Sequence, residues 1–219
     1  MIPNDVWLTA HKELADQNSS VWGPEFPHTW GFHHPYRIAL KPTGTPIARK
    51  DTHLPDNAIV LVTAGARLPQ EIHGAWARQM VELLHRRPNV VWLLAGGDGT
   101  MRPALHDAPQ QQRSLLPHHQ DLRSVFRCCD IYVNPPRMRG GFSVAEAMAE
   151  CLPVVTHANS DRGNRVGAAA VSHDDDYFAQ LHMLLDDGNM RRSVGTSMQP
   201  YFRNFLDIEQ SGPIADGRM

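Results

Sequence analysis

Short apolar runs alternate with stretches of helical period from residue 57 onward, and the first 56 residues show neither pattern. The runs at 59–64, 90–95, 114–116, 130–134, 153–157 and 169–172 are bounded by Gly, Pro, Asn or Asp, which predicts strands. Most are apolar at consecutive positions instead of alternating, as expected of strands covered on both faces in a parallel sheet. Between the first two, Ile72, Trp76, Met80, Leu83 and Leu84 recur at three- and four-residue steps, so 70–86 is expected to be a helix that Pro88 ends. Further helices are expected at 120–128 (Leu122, Val125, Phe126), at the alanine-rich 143–150, at 174–187 with its stripe Tyr177, Phe178, Leu181, Leu184 and Leu185, and at 190–206, where Pro200 should interrupt the run. Asp174, Asp175 and Asp176 suit a helix amino end, where the macrodipole favours negative charge. This alternation predicts an α/β domain over 57–208: a parallel sheet with helices on both faces.

The first 56 residues read as an extended arm, a remnant of a preceding domain and its hinge. Pro24, Pro27, Pro35, Pro42, Pro46 and Pro55 break any long helix, leaving one strand at 6–9 and one helical turn at 11–16. Residues 209–219, with Gly212, Pro213 and Gly217, read as a flexible tail. A net charge of -2 gives no field to gather polyanions, so nucleic acid is not an expected partner. No apolar run approaches the roughly 20 residues that span a bilayer, and no leader pattern opens the chain, so a cytoplasmic protein is expected, with loose attachment to an inner membrane left open. Three cysteines, Cys128, Cys129 and Cys151, lack CxxC spacing and read as buried thiols; 13 histidines are scattered, and no metal site is expected.

In an open parallel sheet, ligands bind beyond the carboxyl ends of the strands, where loops and helix amino ends converge. After the first strand stand Gly65, Ala66 and Arg67; after the fourth, Arg137, Gly140, Gly141, Phe142 and Ser143; after the fifth, the loop holding Asp161. The loop before Ser143 can be read as an anion cradle, two glycines letting a ligand approach free helix amides with Arg137 and Arg139 beside them. It can equally be read as a glycine turn with solvated arginines. Asp161 suits either sugar hydroxyls or the turn itself.

The segment DIYVNPPRMRGGFSVAEAMAECLPVVT, residues 130–156, resembles the donor-site region of GT-B glycosyltransferases, and its Asn-Pro-Pro-Arg with paired glycines is similar to bacterial enzymes of the group-1 type. TAGARLPQEI at 63–72 and the strand at 90–96 keep the order of that family, so the resemblance runs from about Asp56 to Asp207. It implies a Rossmann-like domain, one half of a GT-B fold, that binds a UDP- or GDP-sugar. It also implies that Glu146 accepts hydrogen bonds from the ribose hydroxyls, that backbone amides of Gly141, Phe142 and Ser143 meet the diphosphate, and that Arg67 and Arg137 neutralise its charge. Backbone at 116–119 would read the base. Two departures stand out: Met138 occupies the place of a second glutamate in the family, and Gln70, Glu71 and His73 stand where a further lysine or arginine is usual. The alternative for Arg67 is a surface salt bridge, for Glu146 an ordinary helix glutamate, and for His73 a surface histidine.

The reaction implied is hexosyl transfer from a nucleoside diphosphate sugar, with leaving-group charge held by arginine and helix amides and no cofactor. The acceptor, a glycan, a lipid-linked sugar or a protein, would sit on an N-terminal domain, so this portion alone is expected to bind without turning over. The resemblance also suggests polysaccharide biosynthesis. Two other readings are a non-catalytic nucleotide-sugar-binding or assembly module and an epimerase-like enzyme acting on sugar nucleotides.

Overall fold

The computed structural model describes residues 6–9, 30–33, 38–97, 99–101, 105–117, 121–137, 142–158, 160, 166 and 170–210. The chain divides into two compact units, Met1–Ala39 with Asn204–Met219, and Leu40–Arg203.

In the first unit, β1 (Val6–Thr9) pairs in parallel with β2 (Trp30–His33), in register from Val6 with Trp30 to Thr9 with His33. The expected strand at 6–9 is present, and its partner corrects the reading of 30–33 as arm. Ile38 bridges Asp207, its amide donating to the Leu206 carbonyl at 2.8 Å. The helical turn expected at 11–16 and most of the tail at 209–219 lie outside the described residues.

The larger unit carries β3 (Ile59–Ala64), α1 (Leu68–Glu71), α2 (Gly74–Arg86), β4 (Val90–Ala95), β5 (Arg113–Leu116), α3 (Leu122–Phe126), β6 (Ile131–Val133), α4 (Phe142–Ala149), β7 (Val154–Val155) and α5 (Asp174–Asp186), with α6 (Gly188–Phe205) running on past its boundary. Its sheet has the order β5-β4-β3-β6-β7, all pairs parallel. This is the expected Rossmann-like sheet. The chain starts at the centre, winds outward through β4 and β5, then returns to the far side of β3 for β6 and β7.

Alternation along each strand divides its side chains between two covered faces. Leu61, Trp92, Leu94, Ile131, Val133 and Val155 pack against α2 and α5 in the main core. Trp76 of α2 meets Trp92 edge-on at 5.8 Å and Tyr177 of α5 at 6.0 Å. Trp92 donates its indole N–H to Thr63, whose hydroxyl donates to the Val133 carbonyl, a chain of two hydrogen bonds that links β4, β3 and β6 inside the core. On the other face Phe126 of α3 sits edge-on to Tyr132 at 5.6 Å. There α6 comes so close to the turn after α4 that a Cβ on Gly195 would lie 2.0 Å from the Cys151 carbonyl oxygen.

Three expectations are corrected. The single helix at 70–86 is two, because Ile72 takes an extended backbone and Gly74 a φ of 71°, a left-handed conformation that glycine adopts without steric cost. The sixth strand shrinks to one bridge, Val171 with His157. Helix α6 continues through Pro200, which removes one N–H while the neighbouring turns persist. Among the cysteines, Cys128 is buried and Cys129 and Cys151 are half-buried, all three as free thiols.

Candidate functional site

The strand order reverses between β3 and its neighbour β6, so the loops leaving these two strands turn to opposite faces and open a crevice at their carboxyl ends. A cleft of about 410 Å³ lies there, lined by Arg67, Gln70, Glu71 and His73 from the β3 side and by Pro136, Arg137 and Ser160 from the other. A wider hollow of about 500 Å³ runs along α2 over Ile72, Ala77 and Val81, away from the strand ends.

The β3 side rests on glycine. A Cβ on Gly96, whose φ is 99°, would lie 2.1 Å from the Gly65 carbonyl oxygen, and one on Gly65 would lie 2.7 Å from Arg137 Nη1. Gly65 therefore leaves room for the guanidinium that crosses over it. Arg67 follows, its Nη2 3.0 Å from Glu71 Oε1 within the first turn.

On the β6 side, Asn134 donates to Thr156 and Ser160 at 3.0 and 3.3 Å. Ser160 in turn donates to the Pro135 carbonyl at 2.9 Å and accepts from the Arg137 amide, which fixes the proline-rich loop. Arg137 turns inward: its side chain is 5% exposed, with Nη1 2.8 Å from Glu71 Oε2. Its Nη2 donates to the Ala64 carbonyl at 3.1 Å and to the Tyr132 hydroxyl at 3.0 Å. The Ser143 hydroxyl, at the start of α4, lies 2.8 Å from the Tyr132 hydroxyl and 3.4 Å from the same Arg137 nitrogen. One guanidinium thus ties β3, β6, α1 and α4 together.

One turn further along α4, Glu146 lines a separate cavity of about 230 Å³ with Lys41, Pro42, Asp121, Leu122 and Arg123. Burial pushes its carboxyl above the ordinary value, Arg123 and Lys41 pull it back, and Asp121 adds to the rise. Asp121 caps α3 through the Ser124 amide and holds the 43–44 segment by the Thr43 hydroxyl and the Gly44 amide, at 2.8 Å for the latter. Arg123 donates to the Lys41 carbonyl, so the segment bearing Lys41 is tethered beside Glu146.

Of the residues singled out in the sequence, Arg67 and Arg137 line the cleft, Gly65 and Ser143 lie behind it against the Arg137 guanidinium, Phe142 is exposed at the start of α4, and Glu146 lines the smaller cavity. Gly140, Gly141 and Asp161 lie outside the described residues, as do 118–119 of the expected base-reading segment. The sequence reading missed Lys41, Asp121, Tyr132 and Ser160. It met Glu71 only as an absent cation, although its four-residue spacing from Arg67 announces a helical ion pair.

A family model described as glycosyl transferases group 1 matches residues 58–187. No curated protein matches the sequence. Among solved structures, the chain is similar to WaaG, a glycosyltransferase involved in lipopolysaccharide biosynthesis, at a TM-score of 0.66 and 16% identity over 90% of this chain and 57% of that one. It is similar also to the pneumococcal O-GlcNAc transferase GtfA in complex with UDP and GlcNAc (TM-score 0.58, 19% identity, 92% and 42% covered). A third likeness is to the S. aureus MnaA–UDP structure (0.50, 14%, 72% and 43%). The chain therefore spans about half the length of these structures.

Proposed function

Because the chain belongs to the group 1 glycosyltransferases, we propose that residues 57–208 bind a nucleoside diphosphate sugar, UDP- or GDP-linked, as the donor half of a hexosyltransferase. One observation carries this reading: the arginine-lined cleft lies at the switch point of the sheet, and α4 touches its Arg137 through Ser143 and lines the second cavity with Glu146 one turn on. A diphosphate in the larger space and a ribose in the smaller would run along the amino end of one helix, where the backbone amides and the macrodipole favour phosphate.

Arg67, half exposed, supplies the direct guanidinium contact, and Arg137 adds charge through the wall while its hydrogen bonds stay within the protein. Backbone at Gly140 to Ser143 meets the phosphates, Glu146 accepts from the ribose hydroxyls, and Asp161 attends the sugar. In the transfer, the bond from the anomeric carbon to the diphosphate oxygen breaks and its electron pair leaves with the nucleoside diphosphate. The acceptor hydroxyl forms the new bond and loses its proton. Positive charge preorganised at the leaving oxygens lowers the barrier because it is worth most when that charge develops.

The acceptor is a glycan, lipid-linked sugar or protein held by an N-terminal domain, which makes this chain a binder that does not turn over by itself. The work belongs to the cytoplasm or the inner face of a membrane, in polysaccharide assembly; among the described residues no helix is long and apolar enough to cross a membrane. UDP and GDP titrated calorimetrically into the chain test the reading. Saturable 1:1 binding of one of them, weakened at least about tenfold in Arg67→Gln through loss of a charge-assisted bond, is expected. Heat no greater than that of inorganic phosphate would rule it out.

A further inference from the structure

Glu71 stands between the two arginines of the cleft. Its Oε1 lies 3.0 Å from Arg67 Nη2 and its Oε2 lies 2.8 Å from Arg137 Nη1. The partners differ in burial. Arg137 is 5% exposed and is further held by the Ala64 carbonyl and the Tyr132 hydroxyl, so it anchors the carboxylate from the buried side. Arg67 is 52% exposed, and an ion pair with one member in water is weak.

Accepting the donor reading above, we propose that Glu71 governs release of the diphosphate product: it holds Arg67 in the empty cleft, cedes it to an entering phosphate, and remains as a fixed negative charge that disfavours the more highly charged of two ligands. A nucleoside diphosphate bears a terminal phosphate that ionises a second time near pH 6, whereas a sugar ester blocks that ionisation. The product therefore carries about one more negative charge than the donor at neutral pH. A carboxylate that cannot leave the cleft repels the product more strongly, and as the product departs Glu71 takes Arg67 back. The repulsion acts across a few ångströms in a partly desolvated space, where a unit charge changes affinity by on the order of tenfold.

The test is equilibrium dialysis of the full 219-residue chain against labelled UDP and UDP-glucose, and against GDP and GDP-mannose, at about pH 7.5, where the terminal phosphate is doubly ionised. Glu71→Gln keeps an oxygen to accept from Arg137 and removes the charge. It is expected to tighten the diphosphate about tenfold and the sugar nucleotide about threefold, and the gap between the two gains should close below about pH 6. Equal gains for both ligands, unchanged affinities or weaker binding of both overturn the role of Glu71 while leaving the donor reading in place; failure of the wild type to bind any of the four ligands overturns the donor reading itself. Should Glu71→Gln not fold, arginine side-chain NMR of the wild type decides, with Arg67→Lys used for assignment. Addition of the diphosphate should shift the Arg67 guanidinium signal and leave that of Arg137 in place, and an unmoved Arg67 overturns the proposal.

Discussion

The two loops that face each other across the cleft hold their arginines in opposite ways. The loop after β6 buries Arg137 and spends its guanidinium on a carboxylate, a carbonyl and a hydroxyl drawn from three other elements. The loop after β3 presents Arg67 half to solvent, engaged with Glu71 one helical turn away. The family resemblance implies that both neutralise a diphosphate. Their surroundings differ: one cation belongs to the architecture of the crevice, the other stands half exposed at its wall.

Removing each in turn separates the roles. Arg137→Leu should cost about 3–5 kcal/mol in urea unfolding, because Glu71 is left as a half-buried charge without its anchored partner and the Tyr132–Ser143 pair loses its donor. A loss under about 1 kcal/mol, the range of a surface pair, would place Arg137 with Arg67 and erase the contrast. Next in size is Gly96→Ala, at about 3 kcal/mol, since the new methyl would meet the Gly65 carbonyl at 2.1 Å in a backbone conformation that side chains rarely adopt. Chemical denaturation measures it, and an unchanged midpoint would show that the β3 and β4 ends can part. Arg67→Ala should lower nucleotide affinity about thirtyfold by calorimetry while moving the unfolding free energy by less than about 1 kcal/mol. Comparable damage to stability and binding would deny it the ligand-facing role.

Much of the frame was legible because burial on two faces writes itself into consecutive apolar residues, and the strands at 59–64 and 90–95 stand where those runs stand. What failed did so for local reasons. The stripe from Ile72 to Leu84 keeps helical spacing across a break that only the backbone of Ile72 and Gly74 reveals, and Trp30–His33 is too short to show a period. At the cleft, residue types placed two arginines at the strand ends, but the setting of each depends on a contact between Arg137 and Glu71 across 66 positions, which no local pattern encodes. Lys41 likewise shares a cavity with Glu146 through a segment fastened by Asp121 and Arg123, far from it in sequence.

Glu146 sharpens the contrast in its smallest form. Its carboxyl is raised above the ordinary range chiefly by burial, with Arg123 and Lys41 compensating in part, so the fold tolerates this charge more than it uses it. A carboxyl that binds its proton more tightly folded than unfolded weakens the fold at pH above its raised value, and that penalty vanishes below the unfolded value of about 4.3. Glu146→Gln should accordingly leave stability equal or higher at neutral pH, the advantage over wild type shrinking to nothing as pH falls toward about 4. Binding should respond in the other sense. If the carboxylate accepts the ribose hydroxyls, wild-type affinity for the sugar nucleotide, whose phosphates do not titrate in this range, declines as acid protonates Glu146, and the amide variant starts about tenfold weaker, as expected for losing a charged acceptor, and stays flat with pH. A variant that loses stability at neutral pH, or whose affinity follows the wild-type pH profile, would return Glu146 to the same class as Arg137, a polar group held for the fold.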